Sequence, residues 1–119
     1  MAYVDGFLLV VPKSKLRQYK KMASVAGKVW KEHGALDYHE CTGDDMKVKF
    51  GAPFPKVAKA KPSEMVVFSW ITYKSKADRN KINAKVMKDP RIANLCDPQN
   101  TPFDMKRMSY GGFKTLVQA

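Results

Sequence analysis

Apolar positions follow one another almost without interruption through the middle of the chain. Residues 65–73 carry β-branched and aromatic side chains on both alternating rows, which is typical of a strand covered on both faces. A helix is predicted directly after this strand, with Ser75 as its N-cap and apolar positions such as Ile82 between lysines. Asp89 followed by Pro90 ends that helix, because a residue before proline disfavours the helical conformation.

The same alternation of apolar and polar positions predicts a longer helix and three further strands. The helix begins with Ser14 as its cap and ends near His33, and its apolar residues recur three and four positions apart. Gly34 suits the left-handed conformation that terminates a helix. A short helical turn is predicted over 91–95. The strands are predicted over residues 3–11, 36–42, 65–73 and 105–117.

The predicted order of elements is strand, helix, strand, strand, helix, strand. It is the ferredoxin-like βαββαβ order of an α+β protein, a four-stranded antiparallel sheet with its helices on one face. Because the strands are apolar on both rows, the face without helices also needs a cover. A second copy of the chain, packed sheet to sheet, is the simplest cover for a chain this small. We therefore expect a homodimer.

Two segments depart from the regular pattern. Residues 44–63 contain three prolines and five lysines without apolar periodicity; a segment of this kind is usually a lid, a binding loop or disordered. Gly111 and Gly112, within the last strand, indicate a bulge or a point of close backbone approach. We interpret residues 1–119 as one domain that contains this single long basic loop.

Composition sets the class of protein. With 119 residues, of which 45% are hydrophobic and 28% charged, the chain can bury one core. No apolar run approaches the ~20 residues of a membrane span. The N-terminus lacks the basic and cleavage signals of a leader, so we expect a cytoplasmic protein without a membrane partner. Two distant cysteines, Cys41 and Cys96, are expected to be free thiols in a reducing compartment.

The formal net charge is +11, which makes a polyanion the natural alternative partner. However, the basic residues are spread evenly along the chain, without a tail or a block of like charge. Lysines on solvated helix faces explain such a pattern without any ligand. A non-enzymatic basic protein that binds RNA, DNA or another polyanion is therefore the alternative function, and it is not the favoured one.

Polar residues on otherwise apolar strands form the candidate site. If the polar rows face one cleft, Asp5, His39 and Arg107 bring together an acid, an imidazole and a guanidinium. Imidazole moves a proton near neutral pH, a carboxylate orients it, and guanidinium holds an anionic substrate. We predict these three as catalytic residues acting on a small anionic ligand, although Asp5 and Arg107 also suit a structural ion pair. The side chains predicted to bind the ligand are Trp70, Ser69 and Tyr110.

The sequence offers little support for a metal site, a phosphate-binding loop or thiolate chemistry. The acidic pair Asp44 and Asp45 has no further ligands at a suitable spacing, and no glycine-rich phosphate loop is present. Neither a metal nor a cofactor is therefore predicted. Cys41 shares a strand row with His39, which permits thiolate chemistry, but a buried inert thiol is the expected role. Whether the protein is an enzyme stays open.

Short motifs occur in order along nearly the whole chain. They include residues 3–7 (YVDGF), 30–36 (WKEHGAL), 67–71 (VFSWI), 83–87 (NAKVM), 102–104 (PFD) and 110–113 (YGGF). With these motifs the chain resembles the bacterial YbaA-like family, which is catalogued as a domain of unknown function (domain of unknown function 1428). The resemblance implies the dimeric α+β barrel superfamily. It implies no particular activity, because proteins of that fold carry differing chemistries.

Overall fold

The sheet and its helices follow the predicted order. The computed structural model describes residues 2–95, 97, 99 and 101–119. The strands are β1 (Tyr3–Pro12), β2 (Asp37–Thr42), β3 (Glu64–Tyr73) and β4 (Ser109–Lys114). The helices are α1 (Leu16–Glu32), α2 (Phe54–Val57), α3 (Lys76–Met87) and α4 (Pro90–Leu95). The strands form one antiparallel sheet in the order β2-β3-β1-β4, so the ferredoxin-like α+β prediction is confirmed.

Two faces of the sheet have different surroundings. Residues directly opposite each other on antiparallel strands share a face. Phe7, Leu9 and Val11 of β1 pack against helical residues, so their row and its register partners form what we call the helix face. The residues between them form the open face. Its members are Val4, Gly6, Leu8, Val10, Pro12, Asp37, His39, Cys41, Glu64, Val66, Phe68, Trp70, Thr72, Ser109, Gly111 and Phe113.

The core lies between the helix face and the two long helices. One cluster joins Val29 of α1 and Val86 of α3 to Tyr73 of β3, and all three are fully buried. A second cluster joins Leu9 and Val11 to the α1 residues Tyr19 and Ala23. Burying each large apolar side chain stabilises the fold by roughly 1.5–3 kcal/mol. The apolar stripe of α1 therefore determines where this helix sits over the sheet.

The helix termini match the sequence predictions at Ser75 and Gly34 but not at Ser14. The Ser75 hydroxyl accepts a hydrogen bond from the Asp78 amide at 3.1 Å, which confirms the predicted cap of α3. Gly34 has a φ of +117°, as predicted. The prediction that Ser14 caps α1 is wrong, because a 3-10 turn over Lys13–Lys15 precedes the helix and Lys15 occupies the capping position without a side-chain bond.

Ion pairs fasten α4 to the end of α1. Arg91 contacts Glu32 at 2.7 Å and Asp89 at 2.9 Å, and His33 contacts the same Asp89 carboxylate at 3.1 Å. The Arg91 guanidinium, together with His33, holds the pKa of the Asp89 carboxyl well below its usual range. The short α4 thus stays close to the sheet. No helix among the described residues has the length and apolar character needed to span a membrane.

The last strand is shorter at both ends than the predicted 105–117, and the long loop contains one helical turn. β4 begins at Ser109, after a 3-10 turn over Met105–Arg107, so the predicted strand start at residue 105 is wrong. Its register against β1 continues through both glycines without a bulge. Within 44–63, α2 forms one turn, and its Phe54 packs edge-on against Phe68 with ring centroids 5.9 Å apart. The aromatic contact anchors this loop on the open face.

Close approach, and not a bulge, explains Gly112. A Cβ at Gly112 would collide with the Tyr3 hydroxyl and the Arg79 guanidinium, whereas nothing lies within 4 Å of a Cβ at Gly111. Gly112→Ala should therefore lower the free energy of unfolding by about 1–3 kcal/mol, the usual effect of overpacking. Gly111→Ala is the matched control and should change it by less than about 1 kcal/mol. Chemical denaturation followed by circular dichroism measures both; equal losses would disprove a specific contact at Tyr3.

Candidate functional site

The three residues predicted as catalytic do not meet. Asp5 lies on the helix face and is buried, His39 lies exposed on the open face, and Arg107 lies in the 3-10 turn before β4. His39 is opposite Trp70, which is opposite Gly6, the neighbour of Asp5 in the chain. Because successive residues of a strand point to opposite faces, the prediction that these rows share one cleft is wrong.

Asp5 belongs to a buried polar network under α3. Its carboxylate lies 3.7 Å from the Arg79 guanidinium, and the Asn83 amide donates to it at 3.5 Å. The Asn83 oxygen in turn accepts from the Tyr73 hydroxyl at 3.1 Å and the Trp30 indole at 3.0 Å. Burial, helped by the nearby Asp5, raises the pKa of Tyr73. Asp5 is therefore paired with Arg79, and the suggested ion pair with Arg107 is wrong.

Arg107 makes a structural ion pair elsewhere. Its two terminal nitrogens donate to the Glu64 carboxylate at 2.7 and 2.9 Å, and one of them also donates to the Lys59 carbonyl at 2.9 Å. This two-point hydrogen bonding, with help from the Lys61 amide, lowers the pKa of Glu64 to about 2. The pair joins the segment before β4 to the start of β3 and to the long loop.

The residues predicted to bind a ligand also lie on different faces. Trp70 stacks on His39 on the open face, with ring centroids 4.7 Å apart. Ser69 is only 5% exposed on the helix face. Tyr110 lies on the helix face as well, at its β4 edge, where it stacks on Phe7 at 6.1 Å. Of the six predicted site residues, the structure therefore brings together only Trp70 with His39.

The structure corrects the expected burial of Cys41 and arranges no metal site among the described residues. Cys41 is a free thiol and is exposed, so the expectation that it is buried is wrong. Cys96 lies outside the described residues. Within the described part of the chain, no group of three histidine, cysteine or acidic side chains is arranged to hold a metal ion.

A largely apolar cavity lies between the helix face and the segments that cover it. Its volume is about 190 Å³. An apolar cavity of roughly 150 Å³ is known to take up benzene, so this one has room for a single ring with a small substituent. The cavity is lined by Ser69 on its floor and by apolar side chains that include Leu9, Met22, Ile71, Leu95, Phe103 and Met108.

Glu40 supplies the acidic group of this cavity. It lies on β2 directly opposite Ser69, on the row that faces α1. One carboxylate oxygen accepts a hydrogen bond from the Tyr19 hydroxyl, and the other accepts one from the Tyr38 hydroxyl, both at 2.7 Å. A carboxylate offers about four acceptor sites, so about two remain for a ligand. Glu40, Tyr19 and Tyr38 are the residues that sequence reasoning missed.

The local fold holds Glu40 and the two tyrosines in place. Tyr19 projects from the apolar stripe of α1, and Tyr38 precedes Glu40 by two residues on the same strand row. A Cβ at Gly27 would lie 2.8 Å from the Tyr38 ring, so the bare helix backbone is what lets α1 lie over that ring. The sequence did carry one signal for this site: Glu40 is an acidic residue on the row of β2 that the structure places on the helix face.

Both tyrosines are held in their neutral, hydrogen-donating form. Burial is the largest cause that raises the pKa of Tyr19 and of Tyr38, and the neighbouring Glu40 charge raises both further. An ionised tyrosine beside a carboxylate would place two like charges in an apolar wall. The arrangement therefore keeps a single acceptor group, already oriented by two donors, at the cavity surface.

The comparisons with known proteins agree on family and fold. A family model described as "Protein of unknown function (DUF1428)" matches residues 2–105. The uncharacterized protein YbaA of Escherichia coli K12 is 44% identical over 117 residues, which cover 98% of each chain. The protein of that name from Shigella flexneri shows the same identity and coverage.

Solved structures extend the likeness of fold. A putative antibiotic biosynthesis monooxygenase from Nitrosomonas europaea superposes with a TM-score of 0.61 at 13% identity, over 97% of this chain and 90% of that one. A dimeric ferredoxin-like protein from an uncultured marine organism gives 0.61 at 14%, over 100% of both chains. A NIPSNAP domain protein from Burkholderia xenovorans gives 0.56 at 13%, over 98% and 97%. At these identities the likeness shows the fold alone.

Alkaline titration tests the environment of the tyrosines. The pKa values of Tyr19, Tyr38 and Tyr73 are raised above the ordinary value of 10.0. The stability that these raised values provide is complete below about pH 10 and is lost as the pH rises further, because the unfolded chain then releases protons that the folded chain retains. At about pH 11, absorbance at 295 nm should show fewer ionised tyrosines in native than in denatured protein.

Tyr19→Phe and Tyr38→Phe serve as matched controls for this titration. Each should reduce the absorbance step of the denatured chain and leave that of the native chain unchanged. Equal steps in native and denatured wild-type protein would show that these hydroxyls are not held neutral.

Proposed function

We propose that this chain, which belongs to the DUF1428 family of proteins of unknown function, binds a small and mostly apolar molecule in the cavity beside Glu40. The observation that carries the proposal is a carboxylate that two tyrosine hydroxyls orient at the surface of an apolar cavity of about 190 Å³. Ligand sites in proteins usually combine apolar walls with a few placed polar groups. Glu40 would fix the orientation of the ligand, and the walls would supply most of the affinity.

The chemistry of the cavity defines the ligand further. Glu40 accepts hydrogen bonds, so the ligand needs a hydroxyl or N–H donor at one end. No lysine or arginine is among the described residues that line the cavity. An anionic ligand would therefore meet the Glu40 carboxylate without a compensating cation. A neutral ligand with one donor group replaces the small anionic ligand that the sequence suggested.

Glu40 also supports one chemical step. A carboxylate within hydrogen-bond reach of a ligand proton acts as a general base, so proton abstraction from the bound donor is the reaction class that this site supports best. The neighbour described as a putative monooxygenase shares only the fold at 13% identity. Its title alone does not transfer oxygen chemistry to this chain.

A homodimer through the open face is the second part of the proposal. Phe68 is 44% exposed and Phe113 is 61% exposed there, and a solvent-exposed apolar sheet face is an interaction surface. Among the described strand residues of the open face there is no lysine or arginine, which disfavours the sheet itself as a nucleic-acid platform. One structural neighbour is described as a dimeric ferredoxin-like protein, which agrees with a dimer of this fold. A cytoplasmic location stays a prediction.

Ligand binding can be followed from the cavity side alone. The chain has two tryptophans; Trp30 lines the cavity, and Trp70 lies on the open face. In a Trp70→Phe background, p-cresol should quench Trp30 emission with a Kd roughly tenfold lower than that of p-xylene, which has the same shape without a donor.

Substitutions at two acids of β2 complete that experiment. Glu40→Gln removes the charged acceptor and should therefore reduce the roughly tenfold difference in Kd between p-cresol and p-xylene. Asp37→Asn changes an exposed acid on the open face of the same strand and should leave both affinities unchanged. Equal affinity of the wild-type cavity for the two compounds would contradict the role assigned to Glu40.

Sedimentation equilibrium tests the homodimer. At micromolar concentration the protein should sediment with about twice its chain mass of 13.5 kDa. Phe68→Asp should shift the protein towards the monomer, because it places a charge in the open face that the proposed dimer would bury. Phe50→Asp is the control, since Phe50 is 90% exposed in the long loop. A monomeric wild-type protein would exclude the proposed interface.

A further inference from the structure

A groove runs along one free edge of the sheet, between β2 and α1. The sheet order places β3 on one side of β2 and no strand on the other. The groove has a volume of about 920 Å³, and Val67 lies at its base. Ligand-binding clefts in proteins have volumes of roughly 300–1,000 Å³, so this groove has room for a short stretch of chain.

A stripe of α1 forms one wall of the groove. Its members lie three or four residues apart, which places them on one side of the helix. They are Arg17, Lys20, Ser24, Gly27 and Lys31. At about 1.5 Å of rise per residue the stripe is roughly 21 Å long, and six strand residues span roughly 20 Å. Helix stripe and edge strand therefore flank the groove over the same length.

Backbone groups of β2 are directed to its free edge. In an antiparallel pair, hydrogen-bonded and non-hydrogen-bonded residue pairs alternate. The Gly43 amide donates to the Val66 carbonyl at 2.8 Å, so the odd-numbered residues of β2 are the ones that bond to β3. Tyr38, Glu40 and Thr42 accordingly point their N–H and C=O groups away from the sheet, where a further strand would meet them.

The available charge in the groove is positive. Arg17 and Lys20 form no ion pair with any described residue, whereas Lys31 donates to the Leu36 carbonyl. The other three arginines of the chain each contact a carboxylate. Glu40 is the one acid among the described lining residues, against the bases Arg17, Lys20 and Lys31, so the groove is positive on balance. Acidic groups are therefore the natural complement of this wall.

We propose that the groove binds an extended acidic segment of a partner protein, which adds to β2 as a fifth strand. In strand addition the backbone ladder provides affinity and alternate side chains provide specificity. Here the ladder would form with Tyr38, Glu40 and Thr42. Acidic side chains on the helix side would reach Arg17 and Lys20. The groove shares Tyr19, Tyr38 and Glu40 with the cavity, but strand addition uses the backbone groups of β2 and not the Glu40 carboxylate, so the inference does not depend on the ligand proposed above.

Charge also distinguishes this partner from a second copy of the chain. The chain has a formal net charge of +11, and residues 109–119, which hold four exposed apolar side chains (Tyr110, Phe113, Leu116 and Val117), contain one lysine and no acidic side chain. A basic segment placed against Arg17 and Lys20 would be repelled. We therefore commit to an acidic partner and treat occupation by a second copy as a contrary result.

Fluorescence anisotropy with a defined peptide provides the first test. The probe is a fluorescein-labelled heptapeptide that alternates glutamate with valine, at ~50 mM salt to limit screening. Arg17→Gln combined with Lys20→Gln should weaken its binding roughly tenfold. Lys76→Gln combined with Lys81→Gln makes the same change of charge on exposed residues of α3 and should leave binding unchanged. Equal weakening in both double variants, or no binding to the wild-type chain, would refute the proposal.

Amide hydrogen exchange provides the second test, because charge attraction alone would not protect the backbone. On addition of the peptide, exchange at Tyr38, Glu40 and Thr42 should slow by about tenfold or more. Binding without this protection would rule out strand addition. Protection already present in the free protein and lost on dilution to the monomer would assign the edge to a second copy and overturn the inference.

Discussion

The register of β1 between β3 and β4 is the constraint on which the rest of the structure depends. Side chains alternate along each strand, so a slip of one residue would exchange the two faces of the whole sheet. In the observed register, Phe7 lies opposite both Ser69 and Tyr110, which places all three on the helix face. The same register puts Gly6 opposite Trp70 on the open face. Core, cavity and exposed face all follow from this pairing.

Polar groups on the helix face are tolerated because each has partners. A buried carboxylate without a donor destabilises a fold strongly. Asp5 accepts a hydrogen bond from the Asn83 amide and lies 3.7 Å from the Arg79 guanidinium, while Glu40 accepts from two tyrosine hydroxyls. The networks differ in what they face: Asp5 is enclosed beneath α3, and Glu40 borders the cavity. For that reason the first is structural, and the second is the better candidate for ligand chemistry.

Arginine ion pairs close the structure around the cavity. Arg91 holds α4, which contributes Ile92 and Leu95 to the cavity wall, and Arg107 holds the segment that contributes Met105 and Met108. Arg17 alone among the arginines has no carboxylate partner in the described chain, and it faces the groove beside β2. The distribution of paired and unpaired arginines thus separates the parts of the surface that stabilise the fold from the part that is available to a partner.

The sequence by itself determined the elements, because their signals are local. Period-two and period-three-to-four patterns, the Ser75 cap and the left-handed Gly34 each depend on neighbours a few residues away, and the order of elements then indicated the sheet. Only the tertiary structure decided which polar residues meet. Glu40 contacts Tyr19 across 21 positions and Arg107 contacts Glu64 across 43, and such contacts depend on strand register and helix packing. The sequence shows the alternating rows that contain Asp5 and His39. It does not show that the two rows lie on opposite faces of the sheet, because the pairing between strands decides which face each row occupies.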